Sequence, residues 1–217
     1  MPAHNDYGLF QTVIEALLQG KIICAAQSEQ MHDYLQVDGH QEDIDRCLRR
    51  IGRGLRQTND GAGFYAVYLS LDDKSARQHI KQQFSEAVND LEPLVRWLRL
   101  LMNAQKAGTP FGAGDTIRPG DLIKAIEDAP NLANELDRLS KSRMFRNTNT
   151  EPRKQLEFVF KRLDENQYLV PSGPGGLMYI ATAKWSRLYE VLDYIASSEQ
   201  ITVDEDNPDQ ADLLSGV

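Results

Sequence analysis

Two glycine-rich turns, each lying between segments typical of β-strands, constrain the fold of this chain most strongly. The first turn is NDGAG at residues 59–63, which separates RQT from FYAVYLSL. The second is PSGPGG at residues 171–176, which separates YLV from MYIA. Asparagine, aspartate and glycine adopt the backbone conformations that hairpin turns need, and β-branched and aromatic residues favour strands. The sequence therefore predicts one β-hairpin in each half of the chain.

Helices are predicted ahead of the first hairpin from the spacing of apolar residues. This spacing indicates a helix that ends before Gly20, a short strand in KII, a helix over residues 29–35 and a basic third helix. The third helix carries the apolar stripe Ile44, Leu48, Ile51 and Leu55. Gly54 is its expected C-terminal cap. Helix, helix, basic helix and hairpin is the order of elements in a winged helix.

The second half of the chain repeats this order. A charged helix over about residues 74–89 is predicted to be interrupted and restarted at Pro93. The segment LVRWLRLLM after it is apolar on nearly every face, which is typical of a centrally buried helix. A strand in DTI and helices over about residues 119–128, 131–141 and 151–166 lead to the second hairpin. Thr182 is expected to cap the last helix, whose inward residues are Trp185, Leu188, Leu192 and Ile195.

These patterns predict a mostly α-helical chain with short β-hairpin wings, an α+β protein of tandem winged-helix domains. The N-terminal winged-helix domain is expected over residues 1–72 and the C-terminal one over residues 73–199. From Glu199 to the end the chain carries six acids and no base, which predicts a disordered acidic tail over residues 200–217. The net charge of the chain is −8. Because the tail holds most of that charge, basic patches can dominate their own faces elsewhere.

The run RCLRRIGRGLR at residues 46–56 contains five arginines and no acid. On a continuous helix these arginines would share one face, with no acid within reach along the helix. Because arginine donates paired hydrogen bonds to phosphate, this face is a candidate DNA surface. Contact with a protein partner and a plain solvated face are the alternatives, and Gly52 and Gly54 would weaken the helix. The candidate DNA-binding residues here are Arg46, Arg49, Arg50, Arg53 and Arg56.

A second basic cluster lies between residues 137 and 162, where eight bases outnumber three acids. Part of its charge is expected to pair within a helix, because Arg153, Glu157 and Lys161 are spaced four residues apart. The loop RMFRNTNTEPR is therefore the stronger DNA candidate. Neither cluster contains a side-chain set that selects a base sequence, so contact with the DNA backbone is expected. This cluster adds Arg143, Arg146, Arg153 and Lys154 to the candidate DNA-binding residues.

Five segments of the chain resemble one protein family. They are LFQTVIEALLQGKII, LEPLVRWLRLLMNAQ, GDTIRPGDLIKAIEDAPNL, RLDENQYLV and YIATAKWSRLYEVLDYI. The family that they resemble is MksE, the tandem winged-helix (kite) subunits of the MksBEF bacterial SMC condensins, which are related to MukE. The resemblance extends to about Ser198 and leaves out the acidic tail.

The resemblance implies a non-catalytic subunit of an SMC complex. Proteins of this kind form homodimers, bind the kleisin subunit MksF, and position it and DNA near the ATPase heads of the SMC subunit MksB. On this basis we expect non-specific DNA binding and a role in chromosome organisation and segregation at the nucleoid. Two alternatives stay open: the same complex acting with a nuclease in plasmid defence, and a dimeric winged-helix transcription regulator. Neighbouring kleisin, SMC or nuclease genes, and sequence-dependent DNA affinity, would separate them.

The sequence offers no motif for catalysis or for a cofactor. The four histidines are scattered without metal-ligand spacing, and GRG, GAG and SGPGG lack the rest of a phosphate-binding loop. Cys24 and Cys47 are expected to be reduced. We therefore expect no enzymatic activity, no cofactor and no metal. The apolar runs are too short to cross a bilayer and the N-terminus lacks a signal-peptide pattern, so a cytoplasmic protein is expected.

Overall fold

A computed structural model describes residues 3–72, 74–105, 108–173 and 176–198 of the chain. The protein is mostly helical with two small antiparallel sheets of three strands, as predicted. The predicted acidic tail lies outside the described residues. The elements in chain order are α1 (Ala3–Leu18), β1 (Ile23–Cys24), α2 (Glu29–Leu35), α3 (Asp38–Arg49), β2 (Arg53–Gln57), β3 (Gly63–Tyr68), α4 (Lys74–Gln105), β4 (Thr116–Ile117), α5 (Pro119–Glu127), α6 (Pro130–Ser140), α7 (Pro152–Glu165), β5 (Leu169–Ser172), β6 (Met178–Ala181) and α8 (Lys184–Ser198).

The N-terminal half, residues 3–72, has the element order of a winged helix. Three helices precede the β2–β3 hairpin, and β1 pairs with the other edge of β3, so that β3 is the central strand. Gly20 ends the first helix region with a φ of 76°, a left-handed conformation that glycine adopts without strain. The apolar faces of the three helices meet over the sheet in one core. Its fully buried members include Val13, Leu17, Ile23, Leu35, Ile44, Leu48 and Phe64.

The basic third helix is shorter than predicted. It ends at Arg49, and the chain turns at Gly52, whose φ is 71°. Strand β2 then begins at Arg53, so Gly54 lies in a strand and the prediction of Gly54 as a helix cap was wrong. Ile51 was expected on the apolar stripe but its side chain is 56% exposed. A Cβ atom on Gly54 would lie 2.8 Å from Leu69 Cδ2, the end of an exposed side chain that would have to shift to make room for it.

The C-terminal half, the described residues from 74 to 198, repeats the plan with two additional helices. Strand β6 is central, with β4 and β5 on either side, so both sheets have the same strand order. The Trp97 ring packs edge-on against Phe160, and the Phe111 ring packs edge-on against Trp185. Thr182 Oγ1 accepts a hydrogen bond from the Lys184 amide at 3.1 Å, which confirms the predicted cap of the last helix.

Pro93 does not interrupt α4, so the predicted restart of the helix at this residue was wrong. The helix runs without a break from Lys74 to Gln105. A proline inside a helix removes one backbone hydrogen bond and crowds the preceding turn. The turns that follow Pro93 bury Leu94, Trp97 and Leu101 completely in the C-terminal core. We attribute the continuity of α4 to this burial, because it offsets the missing hydrogen bond.

The two halves have separate hydrophobic cores that share no residue. For this reason we propose a division of the chain between residues 72 and 73. No helix in the described part of the chain is long and apolar enough to cross a membrane.

Candidate nucleic-acid interface

The arginine run at residues 46–56 does not form one helix face. Arg46 and Arg49 lie in the last turn of α3, and Arg50 is the residue that caps it. Arg53 and Arg56 lie on β2. Side chains three positions apart on a strand point to opposite faces of the sheet. The five arginines are therefore distributed over a helix end, a turn and two sheet faces, and the predicted single surface was wrong.

Two of these arginines have acidic partners on α3, contrary to the prediction. Arg46 Nη1 lies 2.8 Å from Asp43 Oδ1, and Arg49 Nε lies 2.5 Å from Asp45 Oδ2. Such exposed pairs stabilise a helix only weakly, but they neutralise part of the charge that DNA would meet. The Arg53 guanidinium lies 3.4 Å from the centre of the Tyr68 ring and is held there. These contacts make the run a weaker phosphate site than its composition indicates.

Asp45 connects the end of α3 to the first strand of the hairpin. Its Oδ1 atom accepts a hydrogen bond from the Leu55 amide at 2.8 Å, while Oδ2 accepts one from Arg49. The Arg49 guanidinium and, after it, the Leu55 amide lower the pKa of the Asp45 carboxyl below its ordinary value of 3.8. A carboxyl with a lowered folded-state pKa stabilises the fold above the unfolded pKa, and this contribution disappears as pH falls through the folded pKa.

Replacing Asp45 with alanine is expected to lower the free energy of unfolding by about 1–2 kcal/mol at pH 7, because the Leu55 amide loses its acceptor. Urea unfolding at pH 7 and at pH 3 or below measures this difference, which should shrink at acidic pH. The matched control is Asp43→Ala, whose exposed pair with Arg46 should be worth about 0–1 kcal/mol. Equal losses in the two variants, or a loss that does not change with pH, would contradict this role of Asp45.

The loop between α6 and α7, residues 141–151, positions the second basic cluster. Met144 and Phe145 are buried in the C-terminal core and anchor the loop. Gln155 is also buried, and its Nε2 atom donates to Asn149 O at 2.7 Å and to Asp137 Oδ1 at 3.0 Å. The loop is thus fixed from both sides. It leaves the flanking residues Arg143 and Arg146 exposed.

Arg143 and Arg146 line a cavity of about 320 Å³ together with Arg162 of α7. Arg162 donates through Nε and Nη2 to Met144 O at 3.3 Å, which ties α7 to the loop. Arg143 Nη1 donates to Asn89 Oδ1 at 3.2 Å, and Arg146 Nε donates to Arg143 O at 3.1 Å. We call Arg143, Arg146 and Arg162 the arginine pocket. The backbone of Arg146 has a φ of 48°, in the left-handed region that few residues other than glycine adopt.

The charge of the arginine pocket is only partly balanced. Asp90 also lines the cavity, and Arg162 Nη1 lies 2.9 Å from Glu165 Oε2. The guanidinium groups of Arg143 and Arg146 are held by neutral acceptors, an amide oxygen and a backbone carbonyl. Guanidinium groups fixed in this way can donate to the oxygen atoms of a phosphate. The arrangement suits an anion such as a phosphate of the DNA backbone, and contacts of that kind position a protein on DNA without carrying sequence information.

Arg153 and Lys154, the remaining candidates, lie exposed in the first turn of α7. Lys154 Nζ is 2.8 Å from Glu151 Oε2, and this hydrogen bond raises the pKa of the lysine. Lys141 and Lys161 also have acidic partners, at 2.6 Å from Asp137 and 3.8 Å from Glu165. Arg162 belongs to the second basic cluster of the sequence but is not one of the candidate DNA-binding residues predicted from it. The hydrogen bonds from Arg162 to Met144 O place this arginine in the arginine pocket. They depend on tertiary structure and could not be read from the sequence.

Within the described residues, no group of three or more histidine, cysteine, aspartate or glutamate side chains is placed to hold a metal ion. Cys24 and Cys47 are both free thiols.

A family model described as condensin complex protein MksE matches residues 8–174 of this chain. The match spans the N-terminal winged helix and most of the C-terminal one. A search of curated proteins finds no match.

Proposed function

Since this chain belongs to the MksE family of condensin complex proteins, we propose that it is a non-catalytic subunit of an SMC-type complex that organises and segregates the chromosome. In this proposal the chain forms a homodimer, binds the kleisin MksF, and reaches the SMC subunit MksB through the kleisin. The match over residues 8–174 is the observation that carries the proposal. The protein acts at the nucleoid in the cytoplasm, where it also contacts DNA.

The arginine pocket is the proposed principal site of DNA contact. Two observations support this proposal. Arg143 and Arg146 are exposed, and their guanidinium groups donate hydrogen bonds to uncharged oxygen atoms. By contrast, Arg46 and Arg49 already pair with acids, and Arg53 stacks on Tyr68. Contact is with phosphates and is independent of base sequence, so affinity for random duplex DNA is micromolar or weaker near physiological salt.

The first half of α4 is the proposed dimer surface. Phe84 and Val88 lie one turn apart on this helix, and their side chains are 46% and 44% exposed. Large apolar side chains at this spacing form a stripe that a second copy can cover. Ile51, Leu69 and Leu71 are exposed apolar residues elsewhere in the N-terminal half. The resemblance to homodimeric subunits is the reason for choosing a second copy as the partner.

The double variant Phe84→Asp, Val88→Asp is expected to be a monomer, because two carboxylates would be desolvated in the dimer interface. Light scattering after gel filtration should give a mass near the 24.5 kDa of one chain instead of twice that value. The control carries aspartate at Gln78 and Ser85, two exposed polar positions of the same helix, and should remain dimeric. A double variant that stays dimeric would exclude this stripe as the interface.

The experiment that tests the proposed function is retention of the kleisin. The tagged chain is immobilised after nuclease treatment, and the MksF kleisin of the same organism is passed over the resin. We expect the kleisin to be retained in the absence of DNA. If the chain binds one particular DNA sequence tightly and retains no kleisin, it is a transcription regulator and the proposal is wrong.

A further inference from the structure

The two halves of the protein meet where the turn between β2 and β3 contacts the N-terminal part of α8. Ser186 Oγ donates a hydrogen bond to Asp60 Oδ2 at 2.6 Å, and the Asn59 amide donates to Glu190 Oε1 at 2.7 Å. Burial opposes ionisation of Asp60, but hydrogen bonds from Ser186, Thr58 and the Ala62 amide outweigh it and lower the pKa of this carboxyl. Asp60 is therefore a charged acceptor at neutral pH, which strengthens the contact.

An aromatic and charged group extends the same contact along α8. The Arg187 guanidinium lies 4.2 Å from the centre of the Tyr65 ring, and its Nη1 atom donates to Tyr65 Oη at 3.1 Å. Arg187 also pairs with Glu190 on its own helix. Burial raises the pKa of the Tyr65 phenol, so that it stays neutral and can donate toward Glu190 Oε2, 3.4 Å away. The side chains that face each other across this contact are mainly polar.

Next to these polar contacts, the backbones of the two halves approach closely. A Cβ atom on Gly63 would lie 2.6 Å from Ala183 Cβ and 3.0 Å from Ile22 Cγ2. The Ala183 amide donates to Cys24 Sγ at 3.5 Å, and both residues are buried. Only glycine fits at position 63 when the halves are together. The two halves therefore fit closely against each other at this point, although they have separate hydrophobic cores.

We propose that this contact is a reversible latch, which opens to let the two winged-helix halves separate as intact units and then closes again. Contacts between domains that rely on polar groups normally permit relative motion, because little apolar surface has to be exposed to water. Each half keeps its own core when the latch opens. If the proposed DNA contact is also correct, the latch changes the position of the arginine pocket relative to Arg56, since these lie on different halves.

Labelling of Cys24 with N-ethylmaleimide tests the latch in the full chain under native conditions. Cys24 is buried beside Ala183, whereas Cys47 is partly exposed and serves as an internal reference. Mass spectrometry of the peptides gives the two rates. We expect Cys24 to react more slowly than Cys47 and with little dependence on urea, because opening exposes far less surface than unfolding. The double variant Ser186→Ala, Glu190→Ala should accelerate the labelling of Cys24 roughly tenfold or more, since it removes charge-assisted hydrogen bonds.

The control replaces Asp193 and Ser197, exposed residues of the same helix, with alanine, and it should leave the rate of Cys24 labelling unchanged. A second variant, Gly63→Ala, should also accelerate labelling, because its Cβ would meet Ala183. The latch is contradicted if Cys24 reacts only as fast as the whole protein unfolds, with the same urea dependence. It is equally contradicted if the double variant and its control label Cys24 at the same rate. This readout does not depend on DNA or kleisin, so it can fail while the proposed function stands.

Discussion

Replacing Leu98 with aspartate is expected to unfold the C-terminal half rather than only to separate the dimer. Leu98 lies in the C-terminal part of α4 and only 8% of it is exposed, within the core that also buries Leu94 and Trp97. The substitution removes apolar contacts and places a carboxylate among them, for which we expect a loss of more than about 4 kcal/mol. This is a large fraction of the stability of an ordinary domain.

Circular dichroism during thermal unfolding measures this effect. The control is Asn103→Asp, an exposed position on the same helix, which should unfold like the parent. Because the two halves have separate cores, the variant should keep the part of the transition that belongs to the N-terminal half. A Leu98→Asp variant with the parental melting temperature and the mass of one chain would instead place Leu98 in the dimer interface.

Reversing the charge of Arg143 and Arg146 to glutamate is expected to lower the affinity for random duplex DNA by roughly tenfold or more at low salt. Each lost phosphate contact should also flatten the slope of log affinity against log salt by about 0.9, so that two contacts give a change of nearly two units. Fluorescence anisotropy of a labelled duplex across a salt series gives both values. Retained melting temperature and dimer mass would show that the effect is local.

The matched comparison is Arg49→Glu, Arg53→Glu, which changes the net charge by the same amount in the first basic run. Arg49 pairs with Asp45 and Arg53 stacks on Tyr68, so this variant should lose less affinity and less slope. Equal losses in both variants would indicate a general effect of charge. Parental binding by the Arg143 and Arg146 variant would exclude the arginine pocket as the DNA site.

Much of the fold could be predicted because its signals are local. The end of the first helix near Gly20 and the start of α5 at Pro119 are set by the backbone preferences of these single residues. The spacing of apolar residues marks the buried faces of the helices. The segment RRIGRGLR was harder, since either Gly52 or Gly54 can end a helix. Which glycine ends the helix depends on the pairing of Arg53 in β2 with Tyr68 in β3. The helical spacing of apolar residues in this segment gives no sign of that pairing.

The candidate site was only partly predictable for a similar reason. Arg143 and Arg146 could be found because they lie in one loop with little acid around them. Arg162 joins them only because α7 packs beneath the loop and brings its guanidinium to Met144 O. The contact of Asp60 with Ser186 joins residues 126 positions apart in the chain. Neither contact has a signature in residue spacing, because each depends on how whole elements pack.

We propose that this MksE-family protein acts as a dimeric, kleisin-bound subunit of a condensin complex. The most direct test is native mass spectrometry of the chain expressed together with the MksF kleisin of the same organism. We expect a complex whose mass equals two copies of the 24.5 kDa chain plus kleisin, and which persists after nuclease treatment. A spectrum that contains the chain only as a free monomer, with the kleisin separate, would contradict it.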